Sequence, residues 1–488
     1  MEPESWATKV MVMQGGRFGG GGGQRRIGGG HVNPYDLPGH LLVDKQDPHE
    51  NRWVPFALAH KAEDEDGNQN RSEREVPGLM KLVMYEVQHR RRIRGNRTGT
   101  GLAAGDDSRI KGDDREGDEK MEVLTENHDR EGGGEDRDSG WDWLKGKTVV
   151  LYGDSVLRYN MDHFCKFVGS EIKPIPWNSP AGVPWPENVN PYSTPHRPFD
   201  PDDSSEQDGS GWKDSKPDPP GNGNHWPHIC YVEEVDFLVV HVHQYGMDLT
   251  DYWTFKNGII PPTSTDLRVD RLLRPVVKSI MASIARNASN PKSNVVGPVT
   301  TDLRQGRQAP DLIQVNTALW DTARWLRLDL ENDRSTIDGL SSDRLTWWKR
   351  RVRGVANVLR KAYPDVPIQW VTHHYPISGN LDWFTQDIPK TNQPDNQLPR
   401  ANSLVRFVQL RQTLEAALRG PPAEPTEWCD ADCVREQYES AKSVSIGRWG
   451  DHMLGMERYM LDALHPAALP GGYLWGDMML YELYRVRR

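Results

Sequence analysis

The chain has 488 residues, a length that accommodates two or three average domains. Hydrophobic residues are 36%, with 45 Gly and 36 Pro, against roughly 45–50% apolar, glycine included, in an average globular domain. The deficit is uneven, which points to a disordered part beside a core of ordinary composition. A net charge of −10 bears on solubility rather than on partners and implies no large basic surface, so nucleic acid is not an expected partner.

No run approaches the about 18 consecutive apolar residues of a membrane-spanning helix. Met1-Glu2-Pro3-Glu4-Ser5-Trp6 lacks the charged-then-apolar pattern of a signal peptide. The expectation is either an intracellular chain or one whose first exon is missing from this sequence.

In chain order, residues 1–31 are Gly-rich, with an unbroken run from Gly19 to Gly23, and are expected to be flexible. Residues 32–94 are mixed. Pro77 to Arg94 reads as a helix carrying Leu79, Leu82, Val83, Tyr85 and Val87 and ending basic at Arg90-Arg91-Arg92. A solvated surface helix is expected; packing on the core, or binding a partner or membrane, are the alternatives. Residues 95–140 are rich in Gly, Asp, Glu and Arg and nearly free of apolar residues, the composition of a disordered linker. The chain thus divides into an extension, 1–140, and a folded domain, 141–488.

Lys147 to Tyr152 is a short β-branched, apolar run ending in Gly, the pattern of a buried strand. A helix over 155–168 follows. Residues 177–228, rich in Pro, Asp and Asn, read as a long irregular insertion. Further strands are expected at 235–242, 311–316 and 366–371, with helices at 269–287, 341–362 and 400–419. The tail, 451–487, reads as helical with a break at Pro470-Gly471-Gly472. Alternating strands and helices imply an α/β fold with a mostly parallel sheet covered on both faces. Active groups in such sheets collect at the carboxyl ends of the strands.

Four cysteines, Cys165, Cys230, Cys429 and Cys433, allow two disulfides in three connectivities or four free thiols; Cys429 and Cys433 could close a small loop. N-x-S/T sequons stand at Asn70, Asn96 and Asn287.

The first strand ends in Gly153-Asp154-Ser155. A serine at this strand-to-helix turn can project its hydroxyl, while its N–H joins a helix N-terminus that favours negative charge. That suits a nucleophile whose attack creates an oxyanion; the plainer alternative is that Ser155 caps the helix. Asn316, at the end of the third strand, can donate to the same oxyanion or form a turn. Gly246, after the second strand, can bring a backbone N–H close or serve as a turn glycine. Asp462-Ala463-Leu464-His465 supplies a base and a carboxylate to orient it, three residues apart. No G-x-S-x-G occurs, so the α/β-hydrolase elbow is absent. Gly146-Lys147-Thr148 resembles the end of a P-loop, but Trp141 replaces its first glycine and the segment enters a strand. His225, His228, His241 and His243, with His373-His374, could hold zinc, although paired histidines at strand ends also serve hydrogen bonding or substrate contact.

Taken together, these residues resemble the SGNH/GDSL hydrolase superfamily. Gly153-Asp154-Ser155 with Arg158, Asn316-Thr317 with Trp320, and Asp462 with His465 followed by Pro470-Gly471 are similar to the trichome-birefringence-like polysaccharide O-acetyltransferases, the PC-esterase group and their fungal relatives. The resemblance covers about 145–488. It implies a three-layer α/β sandwich and a serine esterase or O-acetyltransferase acting on a polysaccharide or glycan, with no metal or organic cofactor. By the same resemblance Ser155 is the nucleophile, His465 the base and Asp462 its orienting partner. Asn316 and Gly246 would join the Ser155 N–H in the oxyanion hole. Asp154 and Arg158 would shape the site, and His374 is a candidate substrate contact. The 18 Trp residues, Trp347, Trp348 and Trp383 among them, suit stacking on sugars as well as core packing. Relatives usually carry an N-terminal membrane anchor, and the resemblance implies the secretory pathway, Golgi or cell exterior. A catalytically silent carbohydrate-binding protein of the same fold, or a membrane-associated one, is the alternative.

Overall fold

The run expected as the first buried strand lies at the centre of the molecule because apolar side chains leave it in both directions. Val149 and Leu151 enter one core, Val150 and Tyr152 another, as the two-residue period of a strand requires. Both faces of such a strand must be covered, and helices cover them.

The computed structural model describes residues 35, 39–42, 52–55, 79–98, 142–175, 226–250, 252–255, 259, 262–288, 309–332, 334–336, 338–376, 404–462 and 464–486. Strand β1 (Gly39–Leu42) pairs antiparallel with β2 (Arg52–Pro55). Next come α1 (Leu79–Thr98), β3 (Thr148–Gly153), α2 (Ser155–Phe167), β4 (Ile172–Pro174), β5 (His228–Val232) and β6 (Phe237–His243). They are followed by α3 (Arg274–Ala288), β7 (Leu312–Val315), α4 (Leu319–Glu331), α5 (Ser342–Ala362) and β8 (Ile368–Val371). The order closes with α6 (Leu404–Arg419), α7 (Ala431–Lys442), β9 (Ser445–Gly447) and α8 (Tyr473–Val486).

Seven strands form one sheet in the order β4-β5-β6-β3-β7-β8-β9. From β6 to β9 every neighbouring pair is parallel; β5 runs against both β4 and β6. Helices α1, α2 and α8 pack on one face through Val83, Phe164 and Leu480, and α3, α5 and α6 on the other through Val276, Val355 and Leu414. This α/β arrangement is compatible with a three-layer sandwich. The chain runs from β3 out to β6 on one side and returns to β7 on the other. The carboxyl end of β3 is therefore a topological switch point, where such sheets leave a crevice.

Both disulfides form. Cys165 of α2 is bonded to Cys230 of β5 and ties helix to sheet, while Cys429 is bonded to Cys433 at the start of α7. Among the described residues no helix is long and apolar enough to cross a membrane.

Two expectations are corrected. Helix α1 is not a solvated surface helix. Met80, Val83, Met84 and Val87, one helical stripe, are buried in the core beside α8. Asp477 of α8 accepts hydrogen bonds from Met80 N at 2.9 Å and from the Tyr35 hydroxyl. The folded unit therefore reaches back beyond residue 141 to include α1 and Tyr35. The tail is not continuously helical either. A short helix, Trp449–His452, is followed by turns in which Gly455 takes φ +81°, and Met460 bridges to Pro466 before α8 begins. The expected flexible stretch 1–31, the linker beyond residue 98 and 177–225 of the insertion lie outside the described residues.

Candidate active site

Gly153 closes β3 where the backbones crowd: a Cβ there would stand 2.7 Å from the Leu157 side chain and 3.1 Å from the Asn316 carbonyl oxygen. Asp154 caps α2, its Oδ1 accepting the Val156 N–H at 2.9 Å. The capping role therefore falls to Asp154, which leaves the hydroxyl of Ser155, the first residue of α2, for another partner. Asp154 is 1% exposed. Burial pushes its carboxyl up to about 7, the Val156 N–H offsetting part of this and the Asp321 charge adding to it.

The partner of Ser155 comes from 310 residues further along the chain: His465 Nε2 lies 2.8 Å from Ser155 Oγ. His465 Nδ1 lies 2.8 Å from Asp462 Oδ2. The other carboxylate oxygen, Oδ1, accepts the N–H groups of Leu464 and His465, both at 2.7 Å. Burial works to raise the Asp462 pKa, but the His465 ring and these two N–H groups outweigh it and hold the carboxyl below its ordinary value. An ionised carboxylate only accepts, so Nδ1 carries the proton and Nε2 presents its lone pair to the serine hydroxyl. Burial holds the His465 pKa below its ordinary value; Asp462 opposes that shift and the Arg158 charge reinforces it. Serine, neutral imidazole and carboxylate form one hydrogen-bonded chain, able to take up the proton that leaves Ser155 Oγ as it attacks a carbonyl.

The loop bearing His465 is held from two sides. From α2, Tyr159 lays its ring 4.2 Å from the His465 ring, and His163 Nε2 meets the Pro466 carbonyl at 3.1 Å. Ser155, Tyr159 and His163 stand four residues apart on one helix face. From beyond β8, His374 Nε2 meets the Leu464 carbonyl at 2.8 Å. Within the loop, Leu461 N–H donates to His465 O at 2.7 Å and Ala467 N–H to Tyr459 O at 2.9 Å.

The other expected residues lie as follows. Asn316 is 1% exposed and donates one amide N–H to the Val371 carbonyl at 3.0 Å. Gly246 takes φ +85°, and a Cβ there would stand 2.7 Å from Asp321 Oδ1. No hydrogen bond joins Gly246 to Ser155 or His465 among the described residues. Arg158 lies over the Tyr159 ring at 5.4 Å. His374 is 1% exposed; it supports the His465 loop and offers no surface to a substrate in this structure. His225 lies outside the described residues, and no group of three or more His, Cys, Asp or Glu suited to a metal occurs among those described.

Sequence reasoning missed Tyr159, His163 and Asp321. The first two were signalled by their helical spacing from Ser155. Asp321 was not: its carboxylate joins the loops after β6 and β7, accepting from Met247 N at 2.7 Å and Thr317 Oγ1 at 2.9 Å, contacts that only the fold creates. No family model matches the chain, and no curated protein matches it.

Proposed function

We propose that the protein is a serine-dependent O-acyl esterase or O-acetyltransferase of the SGNH/GDSL type, acting on a polysaccharide or glycan. The observation that carries this reading is the chain Ser155–His465–Asp462, with both links at 2.8 Å, at the carboxyl end of the central strand. The motifs around these residues, similar to those of PC-esterases and trichome-birefringence-like acetyltransferases, support the substrate class. The two disulfides suit an oxidising compartment, where extracellular glycans are made and displayed.

In the proposed reaction Ser155 Oγ attacks the ester carbonyl as His465 Nε2 takes its proton. The oxyanion forms beside the N-terminus of α2, with the Ser155 N–H and Asn316 as donors. The tetrahedral intermediate collapses, His465 returns the proton to the leaving alkoxide, and an acyl-serine remains. Water or a sugar hydroxyl then attacks the acyl-serine, again giving its proton to His465, and Ser155 is regenerated. The reaction as proposed calls for no metal or organic cofactor.

A fluorophosphonate probe tests the nucleophile. Intact protein should be labelled at Ser155, and Ser155→Ala should abolish labelling and lower ester turnover by about 10,000-fold or more. Folded protein that resists the probe would instead support a catalytically silent binding protein. Acetate release from an acetylated oligosaccharide, measured with and without an acceptor glycan, separates hydrolysis from transfer.

A further inference from the structure

We infer that His241 is a positioning residue for Ser155: it pins the Asp154–Ser155 peptide so that the Ser155 N–H is aimed at the oxyanion. The inference rests on the acyl-enzyme reading and deepens it.

The sequence singled out His241 for zinc or for contact with substrate, yet the fold turns it toward backbone. Strand β6 lies beside β3 with His241 opposite Leu151. That register carries the imidazole, fully buried, past the end of β3. His241 Nε2 stands 3.1 Å from the carbonyl oxygen of Gly153 and 3.1 Å from that of Asp154. Carbonyl oxygens only accept, so Nε2 carries the proton and shares it between the two. Burial, with the His228 and Arg158 charges adding to it, holds the ring in its neutral form. A neutral imidazole has a single N–H, and His241 spends it here.

The second of these carbonyls matters for chemistry. The Asp154–Ser155 peptide is trans, so its C=O and N–H lie in one plane and point in opposite directions. Holding the Asp154 oxygen therefore fixes where the Ser155 N–H points, and donation to that oxygen polarises the peptide and strengthens its N–H as a donor. The Gly153 carbonyl also accepts Gln244 N–H at 2.9 Å, whereas the other donor to the Asp154 carbonyl, Arg158 N–H, stands at a long 3.4 Å, so the Asp154 oxygen depends more on His241. A buried imidazole whose Nδ1 has no partner among the described residues is a costly way to fill space beside a strand. An apolar side chain would pack there without that cost; what it could not do is hold the peptide.

Two amides of equal polarity separate positioning from packing. In His241→Gln the side-chain N–H₂ reaches about as far as Nε2; in His241→Asn it falls short of both carbonyls. With a soluble activated acetate ester, His241→Asn is expected to lower kcat about 10- to 100-fold, part of the effect of deleting an oxyanion donor. KM should stay within about 3-fold, and His241→Gln should recover most of the loss. Fluorophosphonate labelling rates should follow kcat across the series, and the two variants should have similar Tm values. Equal kcat in the two variants, or a loss that follows Tm instead, overturns the positioning role while leaving Ser155 as nucleophile. Wild-type protein that is not labelled at Ser155 overturns the acyl-enzyme reading and this inference with it.

Discussion

The state of His465 decides whether the proposed chemistry runs at a given pH, because only the neutral ring can accept the Ser155 proton. Burial is the largest influence on it and lowers its pKa. The groups around the ring are Asp462, which opposes that shift, Arg158, which reinforces it, and Tyr159, His163 and His374. The two neighbouring histidines are themselves held neutral by burial. Activity should therefore rise with pH through a limb lying below the ordinary histidine value of 6.5. Removing the Tyr159 ring opens the imidazole to water, so Tyr159→Ala should move that limb upward in a pH–rate profile of kcat/KM, whereas Tyr159→Phe should leave it in place. A limb unmoved in Tyr159→Ala would show that the ring does not shield the base.

Asp154 makes a prediction of the opposite sign. Its folded-state pKa of about 7 lies above its ordinary value of 3.8. The native state therefore holds the proton more tightly than the unfolded chain does. This contribution to stability is fully present below pH 3.8 and is lost as pH rises through about 7. Asn caps a helix as well as Asp does, and it does not ionise. Asp154→Asn should thus gain on the wild type between these pH values, ending more stable at pH 8 by on the order of a few kcal/mol. Denaturant unfolding of both proteins at pH 4 and pH 8 checks this; a difference that does not change with pH would refute it.

At the scale of elements, the site is a meeting of one helix with one distant loop. Helix α2 offers Ser155, Tyr159 and His163 along a single face, and the loop around His465 folds back on itself so that the His465 ring and the Pro466 carbonyl meet that face while the Leu464 carbonyl meets His374. The strands at 147–152, 235–242, 311–316 and 366–371 and the helices at 155–168, 269–287 and 341–362 could be read from hydrophobic pattern, because apolar periodicity is a local property; α4, which follows the Asn316 turn directly, was missed. Ser155, Asn316, Asp462 and His465 stand out singly by their place at strand ends or near a helix break; what joins them into one set in the sequence is the motif resemblance, not periodicity. The loop itself was read as helix. What ends that helix is Gly455 in a left-handed conformation, followed by the Met460–Pro466 bridge, and a glycine's φ cannot be seen in composition. Strand β9, three residues long, is too short to show a period. Helix α1 has two faces, an exposed one with Tyr85 and a buried one with Met80 and Met84 in the same core as α8, and its local sequence does not say that another element covers the second. Met80 is fully buried, and Gly476 of α8 leaves room for its sulfur: a Cβ at Gly476 would stand 2.8 Å from Sδ. Met80→Ala should cost about 2–5 kcal/mol in denaturant unfolding. A cost near zero would mean that α1 does not belong to the folded unit.

The whole molecule brings side chains from widely separated stretches of chain together at the carboxyl ends of the central strands. The central strand delivers Ser155, its neighbour β6 delivers His241, β7 delivers Asn316, and the final segment crosses back with Asp462 and His465. The Cys165–Cys230 bond fastens α2 to β5 and closes a loop of 65 residues, worth about 4 kcal/mol by chain entropy. The helix that begins with Ser155 is thereby anchored at its far end. The central claim is that Ser155 carries the acyl group between donor and acceptor. Acid quenching of the protein a short time after mixing with an activated acetate ester, followed by peptide mass spectrometry, tests it most directly. An acetyl group on the peptide containing Ser155, retained longer in His465→Ala than in wild type if it forms there at all and absent from Ser155→Ala, is the predicted result. Ester turnover by wild-type protein with no acyl group trapped on Ser155, and with turnover undiminished in Ser155→Ala, would contradict it.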